Sequence, residues 1–202
     1  MRSVSQIATN FHWIVPGEAA RSAQVPAVLL RPFLRANGIK SMINLRGSHP
    51  EFGWWRREEQ ACLKEGVRYL NAMLDSRMLP TKEMLIALWA CFDRARDHQP
   101  VLIKCSGGQD RTSLASALYL IERQGWAAMD KAEAQFAAFP YLHFPRAQQK
   151  WLKAFLRFAQ EDANGRPIRD WLQRGYDPVR LAGWLVRGHG ADSCAGIYRV
   201  KS

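Results

Sequence analysis

Short apolar runs alternate along the chain with stretches in which apolar residues return every three or four positions, the signature of strands interleaved with helices. Strand-like runs fall near residues 11–15, 39–45, 67–73 and 100–105, and helical stretches near 26–37, 52–65, 81–97 and 111–125. The helix from Thr81 opens on a hydroxyl able to cap its first turn. It carries Leu85, Leu88, Trp89 and Phe92 at spacings of three and four, a stripe that belongs in a core. This alternation predicts an α/β fold with a central, mostly parallel sheet of about four to five strands flanked by helices.

A helical tail follows, with segments near 128–138 and 146–162, the second bearing Trp151, Phe155, Leu156 and Phe158 as a broad apolar face. Asn164-Gly165 reads as a hinge, dividing a main domain over 1–164 from a C-terminal extension over 165–202. Trp171, Leu172, Tyr176, Trp184, Leu185 and Tyr198 give that extension too many large apolar groups for a disordered tail. Packing as extra helix is favoured over presenting a basic, aromatic face to a partner or membrane surface.

Composition narrows the functional classes. At 202 residues the chain suits one domain plus a small extension and can bury a substantial core. The first eight residues lack the apolar run of a signal peptide, and no window approaches the roughly 18 apolar residues of a membrane-spanning helix. A cytoplasmic protein is therefore expected. The net charge of +11 includes 21 arginines and favours anionic partners. The basic residues are scattered and no nucleic-acid-binding motif is present, so no nucleic acid is expected; an anionic membrane surface or a phosphorylated acidic partner fits as well. Cys62, Cys91, Cys105 and Cys194 form no Cys-x-x-Cys pair and meet no histidine at metal spacing, so neither a metal nor another cofactor is expected.

The candidate chemistry lies in Val101-Leu-Ile-Lys-Cys-Ser-Gly-Gly-Gln-Asp-Arg-Thr-Ser113, where an apolar run meets a cysteine, a glycine pair, and an arginine opening a helical stretch. Gly107 and Gly108 permit a tight turn in which the backbone N–H groups of Ser106, Gly107, Gly108, Gln109 and Asp110 cradle an anion. Arg111 adds a bidentate fork for phosphate oxygens at the positive end of the following helix. The same field favours thiolate over thiol, making Cys105 a candidate nucleophile. Spacing alone is weak evidence, since Cys62-x5-Arg68 has it too. That copy sits in a helical pattern, where Cys62 reads as a packing residue.

In this loop the chain resembles the cysteine-based protein tyrosine phosphatases, specifically their compact dual-specificity-like branch. The likeness extends to Asn10-Phe-His-Trp-Ile-Val-Pro-Gly17, Arg21-Ser-Ala-Gln24 and Gly38-Ile-Lys-Ser-Met-Ile-Asn-Leu-Arg46, and covers about residues 10 to 160. It implies hydrolysis of phosphate monoesters through a cysteinyl-phosphate. Cys105 would be the nucleophile, Arg111 the phosphate clamp, and Thr112 the hydroxyl that steadies the departing thiolate. Two departures stand out: Lys104 precedes the cysteine where the family usually has histidine, and Ser113 stands where glycine is usual.

The leaving oxygen needs a proton, and a carboxylic acid on a loop is the usual donor. Asp75 follows the run 67–74 and lies 30 residues ahead of Cys105, which matches the family's pattern; its rival reading is a turn residue. Asp110 is a second candidate acid, or a brace for the loop. Thr112 could equally satisfy free N–H groups at a helix start. Arg46, at the end of a strand, and Lys104 are candidate substrate contacts. A phosphorylated protein is the first expectation for substrate, as for a tyrosine or dual-specificity phosphatase, and a phosphoinositide or other polyol phosphate is the alternative. A catalytically silent phosphate-binding module is a further one, allowed by Lys104 and Ser113. Sulfur-transfer proteins and arsenate reductases also use a loop cysteine, but gain nothing from Asp75.

Overall fold

Five strands make one sheet: β1 (His12–Val15), β2 (Ala19–Ser22), β3 (Ser41–Asn44), β4 (Arg68–Asn71) and β5 (Val101–Lys104), in the order β1-β2-β5-β3-β4. β1 and β2 form an antiparallel hairpin, and every other pairing is parallel. Every residue of β2, β3 and β5 is buried, as expected for parallel strands covered on both faces. The computed structural model describes residues 9–188, so Cys194 and Tyr198 lie outside the described residues.

The sheet belongs to one of two compact units, formed by the described residues up to Met73 together with Leu88–Gly108. Its helices are α1 (Ala27–Ala36), α2 (Gly53–Lys64) and the second half of α3 (Lys82–Ala95). α1 buries Leu30, Phe33 and Leu34 at helical spacing, and these meet Phe11, Ile39, Met42, Val67 and Leu102 in one core cluster. Cys62 is fully buried in that cluster. The predicted stripe Leu85, Leu88, Trp89 and Phe92 on α3 is buried throughout. β2 is the one strand with no counterpart in the hydrophobic pattern, because Ala-Ala-Arg-Ser carries no large apolar side chain.

Register aligns the ends of the parallel strands. Ser22 and Asn44 both pair with Lys104, and Asn44 pairs with Asn71. The chain segments leaving β2, β3, β4 and β5 therefore emerge along one edge, where ligand-binding groups collect in open α/β sheets.

The second unit comprises Leu74–Ala87 and the described residues from Gln109 onward. α4 (Asp110–Gln124) is buried from Thr112 to Ile121. α5 (Met129–Ala134), α6 (Trp151–Ala163), α7 (Ile168–Arg174) and α8 (Pro178–Val186) follow. Two helices are shorter than the pattern predicted: α5 ends at Ala134 rather than 138, and α6 begins at Trp151 rather than 146, preceded by a 3-10 turn over Ala147–Gln149. Pro140 and Pro145 bias the residues before them toward extended backbone, which keeps helix out of the connection. α7 and α8 pack on α6 through Phe155, Phe158, Trp171, Tyr176 and Trp184, with ring centroids 5.3–6.1 Å apart. Their indoles are satisfied, Trp171 donating to Asp162 at 2.7 Å and Trp184 to Glu161 at 2.9 Å. Among the described residues no helix is long and apolar enough to cross a membrane.

Candidate active site

β5 ends at Lys104 and delivers Cys105 to the sheet edge, where the residue is 3% exposed. Ser106 and Gly107 are exposed and Gly108 is buried again. The carbonyls of this stretch are tied to the segment that starts the chain's described part. Gln24 donates its backbone N–H to Ser106 O at 3.0 Å, while Arg21 Nη2 and Asn10 Nδ2 donate to Gly108 O at 3.0 and 3.2 Å. In a trans peptide the N–H points opposite to its C=O. Fixing the Ser106 and Gly108 carbonyls therefore turns the following two N–H groups the other way, as an anion cradle requires.

Gly108 is indispensable to this arrangement. Its φ is +65°, and a Cβ there would lie 2.4 Å from Ala23 N and 2.6 Å from Ser22 C, backbone atoms with no room to yield. Arg21 is completely buried on β2, so a guanidinium buttresses the loop from beneath. Asn10, Arg21 and Gln24 stood in the segments carrying the family likeness, but nothing in their spacing revealed that they hold residues some 80 to 100 positions away.

Lys104 requires a correction. Expected as a substrate contact, it is 1% exposed, and its Nζ donates to both carboxylate oxygens of Glu58 at 2.7 and 2.6 Å. Burial pulls its ammonium down from the ordinary lysine value, and the Glu58 carboxylate opposes that pull. Glu58 is 2% exposed and also accepts from Tyr69 Oη at 2.8 Å. The sequence did carry a signal: Glu58 falls in the buried stripe of α2 with Trp55, Ala61 and Cys62, and a carboxylate there needs a partner.

Arg46 lies two residues beyond β3 at the same edge, half-buried, its guanidinium 3.5 Å above the Trp54 ring and donating to Gln24 Oε1. Trp54 and Gln24 also line a small cleft of about 150 Å³. Cys62 and Cys91 are the two other described thiols, and both are buried. Burial pushes Cys62 up to about 12 and Cys91 up to about 11, making both poor nucleophiles.

The remaining candidates lie in the second unit. Asp110 and Arg111 open α4, and Thr112 is fully buried there with its hydroxyl making no hydrogen bond. The helix-start role is therefore not the one Thr112 plays. Asp110 is braced on both oxygens, by Gln149 Nε2 at 2.8 Å and by His143 Nε2 at 3.4 Å. Asp75 is partly exposed and accepts from Arg77 N at 2.7 Å, a local turn bond. Two buried side chains grip the main chain beyond it: Trp151 Nε1 donates to Ser76 O at 3.2 Å, and Tyr176 Oη to Pro80 O at 2.6 Å.

No model of a known protein family matches the chain, and no curated protein matches it. Solved structures do. TpbA of P. aeruginosa is 22% identical, with 86% of this chain covering 89% of that one at a TM-score of 0.50. Tk-PTP in its active form is 20% identical, with 74% covering 97% at 0.56. PTPMT1 is 20% identical, with 76% covering 98% at 0.53. All three are cysteine-based phosphatases of the tyrosine phosphatase type. The chain has the fold of the cysteine-based tyrosine phosphatases.

Proposed function

We propose that the chain hydrolyses phosphate monoesters in two steps through a cysteinyl-phosphate. The supporting observation is the loop after β5, whose carbonyls are anchored by Gln24, Arg21 and Asn10 so that its amides face the other way beside Cys105. Cys105 Sγ attacks phosphorus and the bond to the leaving oxygen breaks as Asp75 gives that oxygen its proton. Water then attacks the phosphocysteine, Asp75 takes a proton back, and the S–P bond breaks to release inorganic phosphate. Arg111 and the amides from Ser106 to Asp110 hold the equatorial oxygens, where charge develops. Thr112, whose hydroxyl is buried and uncommitted, donates to the thiolate as it leaves.

Phosphotyrosine in a protein is the favoured substrate. Trp54 and Gln24 wall a cleft in the same unit as Cys105, a surface suited to an aromatic ring, and TpbA forms a complex with phosphotyrosine. The second reading is a phosphoinositide, favoured by the net charge of +11 and by the likeness to PTPMT1, which forms a complex with PI(5)P. Parallel turnover assays on phosphotyrosyl peptides, phosphoinositides and para-nitrophenyl phosphate separate the two. Cys105→Ser is expected to abolish turnover of every substrate, and Asp75→Asn to slow esters with poor leaving groups by about 10²–10⁴. A Cys105→Ser protein with wild-type turnover of para-nitrophenyl phosphate ends the proposal.

A further inference from the structure

Besides bracing Asp110 through His143 and Gln149, the connection between α5 and α6 carries an exposed apolar surface. Phe139 is 77% exposed, Phe144 63% and Leu142 39%. The two phenylalanine rings meet edge-on at 6.1 Å. This is a fixed projection: Leu142 N donates to Ala138 O at 2.9 Å, and Leu142 holds a left-handed φ of 56°, costly for a branched residue. Side chains presented so openly on a tied turn are poised to enter an apolar phase.

The same connection walls a cavity of about 280 Å³. Phe136 and Pro145 supply its apolar side, and Lys150, Lys153 and Arg157 its basic side. His143 is 4% exposed in that wall; its Nδ1 is bonded to Phe136 O at 3.2 Å, and its Nε2 lies 3.4 Å from Asp110 Oδ1. Glu133 takes Lys153 and Arg157 at 3.2 and 2.9 Å, so the rim keeps a positive excess. Arg146, exposed between Pro145 and the 3-10 turn, adds to it.

We infer that this face docks on an anionic phospholipid membrane, with Phe139 and Phe144 entering the interface and the Lys150–Lys153–Arg157 cavity receiving a lipid phosphate. Exposed aromatic residues beside clustered cations suit an interface that is apolar below and negatively charged above. A protein partner would need acidic groups ringing an apolar knob-hole; a bilayer supplies both over any orientation in its plane. The inference does not depend on the phosphatase reading, and a Cys105→Ser protein is expected to bind membranes as the wild type does.

Flotation of the full chain with vesicles of phosphatidylcholine, with or without phosphatidylserine, tests it. Binding is expected only with phosphatidylserine and is expected to weaken as salt rises. Lys150→Gln with Lys153→Gln should weaken it about fivefold for each charge removed, and Phe139→Ser with Phe144→Ser more than tenfold, with circular dichroism unchanged. Because the whole chain is cationic, Lys40→Gln with Lys64→Gln on the other unit is the charge-matched control, and it should leave binding within twofold. Equal losses from both lysine pairs, or indifference to the phenylalanines, mean diffuse charge attraction and overturn the inference. So does failure to float with anionic vesicles, whether the face captures an acidic protein instead or nothing at all.

Discussion

Replacing Glu58 by glutamine isolates the buried ion pair beneath the proposed phosphate loop. Lys104 Nζ lies 2.7 and 2.6 Å from the two carboxylate oxygens, and both side chains are at most 3% exposed. Glutamine leaves one acceptor oxygen, puts an amide donor against an ammonium or the Tyr69 hydroxyl, and strands a positive charge on a side chain that is 1% exposed. Breaking a buried pair from one side costs about 3–5 kcal/mol, a large part of the roughly 5–15 kcal/mol that holds a domain folded. In a chain of this size the melting temperature should fall by about 6–20 °C. The variant's Lys104 keeps the downward pull of burial and loses the opposing carboxylate. Its unfolded state then binds more protons than its folded state below the ordinary lysine value of about 10.4, so the deficit narrows as pH rises toward that value. Urea denaturation across pH 6–10 reads both effects. The double variant Glu58→Leu/Lys104→Met, which removes both charges together, should recover most of the loss. A Glu58→Gln protein within about 1 kcal/mol of wild type, or a double variant as damaged as the single one, would refute this account.

Gly108→Ala should fold yet lose about 10²-fold in turnover, because its Cβ must displace Ala23 and Ser22 backbone atoms and shift the loop amides; unchanged kinetics would mean that the loop's shape does not matter. Cys62 and Cys91, held near 12 and 11, have folded values above the unfolded thiol value of about 8.5, so their contribution is intact below pH 8.5 and is lost as pH climbs through 11 to 12. Unfolding free energies from urea denaturation should fall between pH 8.5 and 10, by up to about 1.4 kcal/mol per pH unit for each thiol. Cys62→Ala/Cys91→Ala should flatten that slope, and an unchanged slope would put the titration elsewhere.

Much of the architecture could be read from the chain because the central strands are covered on both faces. Ile39–Leu45 and Val101–Cys105 announce themselves as apolar runs between helical periods, and the cysteine at the end of the second run marks where chemistry would gather. β2 could not be read, since Ala19–Ser22 owes its place to pairing with β5 and to Arg21 reaching Gly108, contacts that leave no periodic trace. Lys104 misled for a related reason. Beside a cysteine it looks like a charge offered to substrate, and it takes the alternation of the strand together with the buried Glu58 of α2 to show otherwise. Asp75 can be singled out from its residue type and its place after a strand-like run, whereas the grip of Trp151 and Tyr176 on the chain after it spans 75 and 96 positions and has no local signature.

That grip falls on main-chain carbonyls, at Ser76 and Pro80, which every amino acid would present alike. Arg77 and Met78 between them can therefore be exchanged without loosening the hold on the segment. Selection, or an engineer, could rewrite what this stretch shows to an incoming molecule while the carboxylate ahead of it stays where it is.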